Sequence, residues 1–192
     1  MDGMIEETLV RLADRDRSRV FGKYRGTVMT VTDSDNLCRI TALVPPVYGD
    51  QESPPAYPCF PFAGPSHGMV LMPEPGDGVW IEFEAGDISR PIWSGCWFAN
   101  GQHPGESKTA KERVLIATTA GDRIVVDEEK GEIRLVHSGG AKIVLSAEGI
   151  TLSNGPSSTI AVQSSEVAIN KGMVKVTTAG ASLVNDSFKV GA

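Results

Sequence analysis

Along the second half of the chain, apolar positions come in pairs separated by a single residue. The pairs are Ile124/Val126, Ile133/Leu135, Ile143/Leu145, Ile150/Leu152, Ile160/Val162, Val167/Ile169 and Val174/Val176, and their first members are spaced by 9, 10, 7, 10, 7 and 7 residues. Side chains two apart in an extended chain share one face, so each pair predicts a short strand with one apolar side. Turn chemistry separates the pairs: Glu128-Glu129-Lys130-Gly131, Ser138-Gly139-Gly140, Ala147-Glu148-Gly149, Asn154-Gly155-Pro156 and Lys171-Gly172. The segment is therefore a repeat array.

Such an array does not close a core by itself. Two inward residues per strand supply about 3–6 kcal/mol of side-chain transfer. Ordering the backbone costs about 1–2 kcal/mol for every residue. A one-chain parallel β-helix uses on the order of 18–25 residues per coil, so this segment would make only about three coils. Three copies wound about a common axis close the core from every side and leave no open edge. The pattern thus predicts an intertwined trimeric (triple-stranded) β-helix over residues 113–177, with the fourteen residues of the seven pairs as its trimer core, ahead of a monomeric solenoid or a β-sandwich.

Before the array the pattern changes. Residues 1–19 read as a short amphipathic helix, with Ile5, Leu9 and Leu12 on one face, or as a disordered tail. Residues 20–99 alternate short strands with dense turns: strands at Gly26–Val31, Leu37–Val44, His67–Met72, Val79–Phe83 and Ile92–Phe98, with an irregular excursion over Asp50–Pro58. Five strands in about eighty residues fit a small Greek-key barrel of the OB type. Residues 100–112 read as a linker and 178–192 as a C-terminal tip segment. The fold class is all-β.

Charge sharpens the division. Gly26–Ala110 carries three basic residues against ten acidic ones, whereas Lys111–Ala192 carries nine of each. An acidic barrel is a poor match for a polyanion, which argues against a nucleic-acid partner. Cys38, Cys59 and Cys96 are odd in number and widely spaced, which suits reduced thiols and folding in a cytoplasm. The first residues do not have the pattern of a signal peptide, and no apolar run approaches a membrane span.

Candidate chemistry reads as structure at each position. Ser66 and His67 are adjacent, so their side chains leave a strand on opposite faces. Glu82 and Glu84 share a face but lack the cleft and raised pKa of paired catalytic acids. Asp33-x-Asp35-Asn36 lacks the Gly and bidentate Glu of a calcium loop and reads as an Asx turn. Trp80, Trp93 and Trp97 resemble a stacking platform for single strands only if their faces are free. No catalytic residue, cofactor or metal site is expected. The run Pro58-Cys59-Phe60-Pro61-Phe62 lacks alternation and reads as a docking loop or as simple core packing.

One set of residues carries a resemblance. Gly26-x-Val28, Asp33-x-x-Asn36, Arg39-Ile40, His67-Gly68, Pro73-x-Pro75-Gly76-Asp77-x-Val79-Trp80-Ile81-x-Phe83, Gly86-Asp87 and Arg90-Pro91-Ile92-Trp93-x-Gly95 resemble the OB domain of the spike family. That family comprises phage baseplate assembly protein V, the central spikes of T4-like phages and VgrG-type spikes of secretion systems. It follows its OB domain with a triple-stranded β-helix. The resemblance implies a homotrimeric needle that joins a tail hub protein and pierces an envelope when a sheath contracts, touching membrane only transiently. It implies a virion or injection-particle baseplate as the site of action. Gly76-Asp77 and Gly86-Asp87 would be barrel turns, and Phe60 and Phe62 would dock on the hub. Two departures stand out. A lysozyme domain does not fit within residues 100–112, and the tail has no His-x-His tip motif, which leaves the blunt end to a separate PAAR-type tip protein. The competing function is an OB-type nucleic-acid or carbohydrate-binding module with a β-helical adhesin tail.

Overall fold

The structure is a computed structural model that describes Glu7 and residues 19–104, 111–184 and 187–191. The chain forms two units, Met1–Gln102 and His103–Ala192. The amphipathic helix predicted within residues 1–19 lies, save for Glu7 and Arg19, outside the described residues, as do residues 105–110 of the linker.

The first unit contains β1 (Tyr24–Thr30), β2 (Thr41–Leu43), a single-turn helix α1 (Pro45–Tyr48), β3 (Tyr57–Pro58), β4 (Ala63–Gly64), β5 (His67–Gly68), β6 (Gly78–Phe83) and β7 (Pro91–Trp97). Five strands form one sheet in the order β2-β1-β6-β7-β3, and β4 pairs with β5 in a small separate hairpin. All neighbours in the larger sheet are antiparallel except β3 and β7, which are parallel. Alternation along β1 and β6 turns Val28, Val79, Ile81 and Phe83 inward, where Ile40, Ala42, Val44, Ala56 and Trp93 complete an enclosed core. Gly78 is required by this packing, because a Cβ there would stand 2.6 Å from the Trp97 ring.

Three predicted elements of this unit come out differently. The strand over His67–Met72 shrinks to His67–Gly68, since Met69, Val70 and Leu71 find no partner strand and stay exposed. The strand over Leu37–Val44 shrinks to Thr41–Leu43, because Asp33 gathers the preceding loop. Within Asp50–Pro58, Tyr57–Pro58 joins the sheet edge beside β7.

The second unit is one ten-stranded sheet: β8 (Glu112–Ala117), β9 (Arg123–Asp127), β10 (Glu132–Val136), β11 (Ala141–Ser146), β12 (Gly149–Asn154), β13 (Ser158–Val162), β14 (Glu166–Ile169), β15 (Val174–Thr177), β16 (Gly180–Leu183) and β17 (Phe188–Gly191). Each strand pairs antiparallel with the next in sequence, so the sheet is a meander and not a one-chain parallel coil. The ladder does not stop at Thr177: β16 and β17 carry it through the segment predicted as a tip. Gly149 is fixed by its surroundings, with φ +135° and Val162 O only 2.0 Å from where a Cβ would sit.

Candidate functional site

The ladder's register places the predicted pairs in two continuous rows on one face. One row runs Ile124, Leu135, Ile143, Leu152, Ile160, Ile169, Val174, Leu183 and Phe188, each opposite the next across a strand pairing. The other runs Val126, Ile133, Leu145, Ile150, Val162, Val167, Val176, Ala181 and Val190. All fourteen residues predicted from spacing therefore share one face, and the register adds Leu183, Phe188 and Val190. Leu183 was hidden by Ala181, which is too small to mark a pair, whereas Phe188 and Val190 are a pair of the same kind that lies beyond the predicted end of the array.

Among the described residues of this unit, nothing covers this face. Leu145 and Leu152 are each 40% exposed and Ile160 is 42% exposed. An open trough of about 830 Å³ follows the first row, lined by Ile124, Leu135, Ile143, Leu152, Ile160 and Ile169. Among the described residues of this unit, only Val125 and Ala168 are buried hydrophobics, and both lie on the opposite face.

That opposite face is polar for most of its length. Its central row reads Val125, Arg134, Val144, Thr151, Ala161, Ala168, Lys175, Ser182 and Lys189. Arg134 ties three strands together, reaching Asp127 at 3.2 Å, Glu132 at 3.0 Å and Glu112 at 3.1 Å. The Asp127 carboxyl is held below its usual range, first by the Lys130 backbone N–H and then by its charged neighbours. Lys175 pairs with Glu166 at 3.4 Å. Spacing alone did not pick out Arg134, although its place between Ile133 and Leu135 marks it as facing away from the apolar rows.

In the first unit, the candidate acids Asp33, Asp35, Glu82 and Glu84 and the His67 ring are already engaged. The Asp33 carboxylate accepts from the backbone N–H groups of Asp35, Leu37 and Arg39 and from the Arg39 guanidinium, with Nη2 at 2.5 Å. Arg39 holds that carboxyl far below the ordinary range, chiefly through the side-chain hydrogen bond. The segment is an Asx-type turn locked by an arginine. Glu82 meets Lys23 at 3.0 Å, and hydrogen bonds from Ser94 and Lys23 lower its pKa, the reverse of what a general acid needs. Glu84 does not share the strand with Glu82 but begins the 3₁₀ turn Glu84–Gly86, paired with Arg90 at 2.7 Å. The His67 ring bonds its neighbour Pro65 O at 2.9 Å. Among the described residues no group of three or more His, Cys, Asp or Glu is arranged to hold a metal.

The tryptophans do not present free faces. Trp93 is buried and donates to Cys38 O at 3.1 Å. The Arg25 guanidinium lies over both Trp80 and Trp97, at 5.6 and 5.0 Å from the ring centres. The two predicted docking aromatics part company as well. Phe60 packs edge-on against Trp93 at 5.4 Å and belongs to the barrel core's periphery. Phe62 is 54% exposed in the same stretch as the exposed Met69, Val70 and Leu71.

Comparison with known families accounts for both units. A family model described as the type VI secretion system/phage-baseplate injector OB domain matches residues 24–98. A second, described as the phage baseplate V C-terminal trimerisation domain, matches residues 113–175. No curated protein matches the chain.

Proposed function

The chain belongs to the phage baseplate V spike family, and on that premise we propose that three copies form the central spike of a contractile injection machine. In this reading the barrel joins the tail hub and the ladder is the needle driven through the target envelope. The observation that carries it is the pair of apolar rows running along nine of the sheet's ten strands, β9 to β17, and left open among the described residues of this unit. A monomer in water rarely exposes so continuous a strip. Three such faces turned on one axis bury every row and make a dry shared core.

Dimensions support the mechanical role. At the usual strand spacing, ten strands stack to about 43 Å. That exceeds the ~30 Å hydrocarbon core of a bilayer. Thrust along the needle passes along the hydrogen-bonding direction, from strand to strand, with the polar row containing Arg134 and Lys175 facing outward. Phe62, with Met69 to Leu71, is the surface best suited to the hub, while Phe60 serves the barrel itself. A PAAR-type protein would cap the far end. Catalysis, cofactors and nucleic acid have no part in this scheme, and assembly takes place in the bacterial cytoplasm.

Light scattering coupled to gel filtration tests the core of it. The expected mass is three times 20.4 kDa. A folded single-chain species at micromolar concentration would overturn the reading.

A further inference from the structure

The ladder has two rims, and they differ in charge. Because the sheet is a meander, successive turns fall alternately on one rim and the other. The β8–β9, β10–β11, β12–β13 and β14–β15 turns share a rim, on which the basic residues are Arg123, Lys142 and Lys171. The β9–β10, β11–β12 and β13–β14 turns share the other, which carries Glu129, Glu148 and Glu166 among its acids. Among the described residues the basic rim has one acid, Asp122, which accepts from Ser138 N at 2.8 Å. The acidic rim has three basic residues there: Lys130 meets Asp127 at 3.4 Å, Arg113 pairs with Glu128, and Lys111 stands at the β8 end of the ladder, away from the matches below.

We propose that the basic rim of one copy seats against the acidic rim of the next around the threefold axis, with Lys142 facing Glu148 of the neighbouring copy as the central contact. This rests on the trimer reading above and adds which edges meet. The apolar rows run along the stacking direction, so they face a common axis only if that axis is parallel to the ladder. A pure rotation about such an axis leaves every residue at its own height. The residues that meet across a seam are then those at equal height on opposite rims. Arg123, on β9, stands level with Glu129 in the β9–β10 turn. Lys142, on β11, stands level with Glu148 in the β11–β12 turn. Lys171, in the β14–β15 turn, stands within a strand spacing of Glu166 on β14, a carboxylate it would share with Lys175 of that neighbouring copy. Three charge matches fall at three separate heights, and the same rule sets opposite signs at each. A twofold axis perpendicular to the ladder would instead reverse one copy and lose the correspondence.

Zero-length carbodiimide coupling of the full-length trimer, followed by peptide mass spectrometry, tests the pairing. Within one chain, Lys142 and Glu148 lie at opposite ends of β11, about six residues or ~20 Å apart in extended chain, so a direct amide between them forms only between copies. Lys175–Glu166, 3.4 Å apart in one chain, is the internal control. The expected result is a Lys142–Glu148 amide in covalent trimers. A second measurement uses charge reversal. K142E and E148K alone should each lower the trimerisation constant about tenfold or more, with three seams per particle, and the K142E/E148K pair should restore it. A trimer that yields the control amide without the 142–148 link, or reversals that add without rescue, would overturn the seam while leaving the trimer intact. A monomeric wild-type protein would instead remove the trimer on which the seam depends.

Discussion

The two units are both built from short antiparallel strands, yet they solve burial in opposite ways. The barrel wraps its strands until Val28, Ile40, Val79, Ile81 and Trp93 are almost wholly removed from water within one chain. The ladder alternates just as cleanly but never turns back on itself, so its apolar rows remain about 40% exposed. Alternation therefore specifies that a face is apolar and not what covers it. For the barrel, the cover is the rest of the same sheet; for the ladder, it has to come from other copies. On the proposed trimer, folding of the first should be a property of the chain, and folding of the second should be tied to concentration.

The largest expected effect comes from breaking the ladder's face. Leu145→Asp places a carboxylate between Ile133 and Ile150, and threefold symmetry brings three of them into the same layer. Removing charges from water costs several kcal/mol per ion, with no partner here to offset it. Gel filtration with light scattering should show the trimer lost. All three tryptophans lie in the barrel, so their fluorescence should stay native. A simultaneous collapse of tryptophan fluorescence would mean that the barrel too depends on assembly and would erase the contrast between the units.

The complementary substitution acts inside the barrel. Ile81→Ala empties a fully buried position beside Val28 and Val79, and truncations of this kind cost about 2–5 kcal/mol. Urea unfolding followed by tryptophan fluorescence should move to lower midpoint, while the mass of the assembled particle should not change. Loss of trimer from this substitution would show that the barrel contributes to holding the copies together.

How well each unit can be read from sequence follows the same contrast. The ladder is legible because β-branched residues two apart, separated by glycine turns, have one reading, and the register honours every predicted pair from Ile124 to Val176. Its ends are less legible. In β8 a register shift between Val114 and Ile116 breaks the alternation, and in β16 an alanine stands where a larger residue would have marked the row. The barrel resists a purely local reading, since its elements are set by distant partners. Tyr57–Pro58 becomes a strand only because β7 lies beside it, and Asp33 shortens the following strand by drawing in the backbone of Leu37 and Arg39. The rims' charges were on view in the turns, but which turns share a rim is known only once the meander is.

The smallest expected effect sharpens the account of how the barrel closes. Tyr48, at the end of α1, donates from its hydroxyl to Ile88 O at 2.5 Å and lays its ring edge-on to Phe83 at 6.1 Å. Burial, with a contribution from Asp87, pushes this phenol up to about 12. An unfolded tyrosine ionises near pH 10. Between those values the unfolded chain releases a proton that the folded chain keeps, so the stability owed to Tyr48 is complete below about pH 10 and declines as pH rises toward 12. Tyr48→Phe keeps the ring and removes the hydrogen bond, which should lower barrel stability by about 1 kcal/mol at neutral pH. Denaturation curves for wild type and variant should then converge as the pH is raised from about 9 to 11. Parallel curves over that range would mean that the hydroxyl remains in contact with water, and that α1 rests on the barrel through the ring alone.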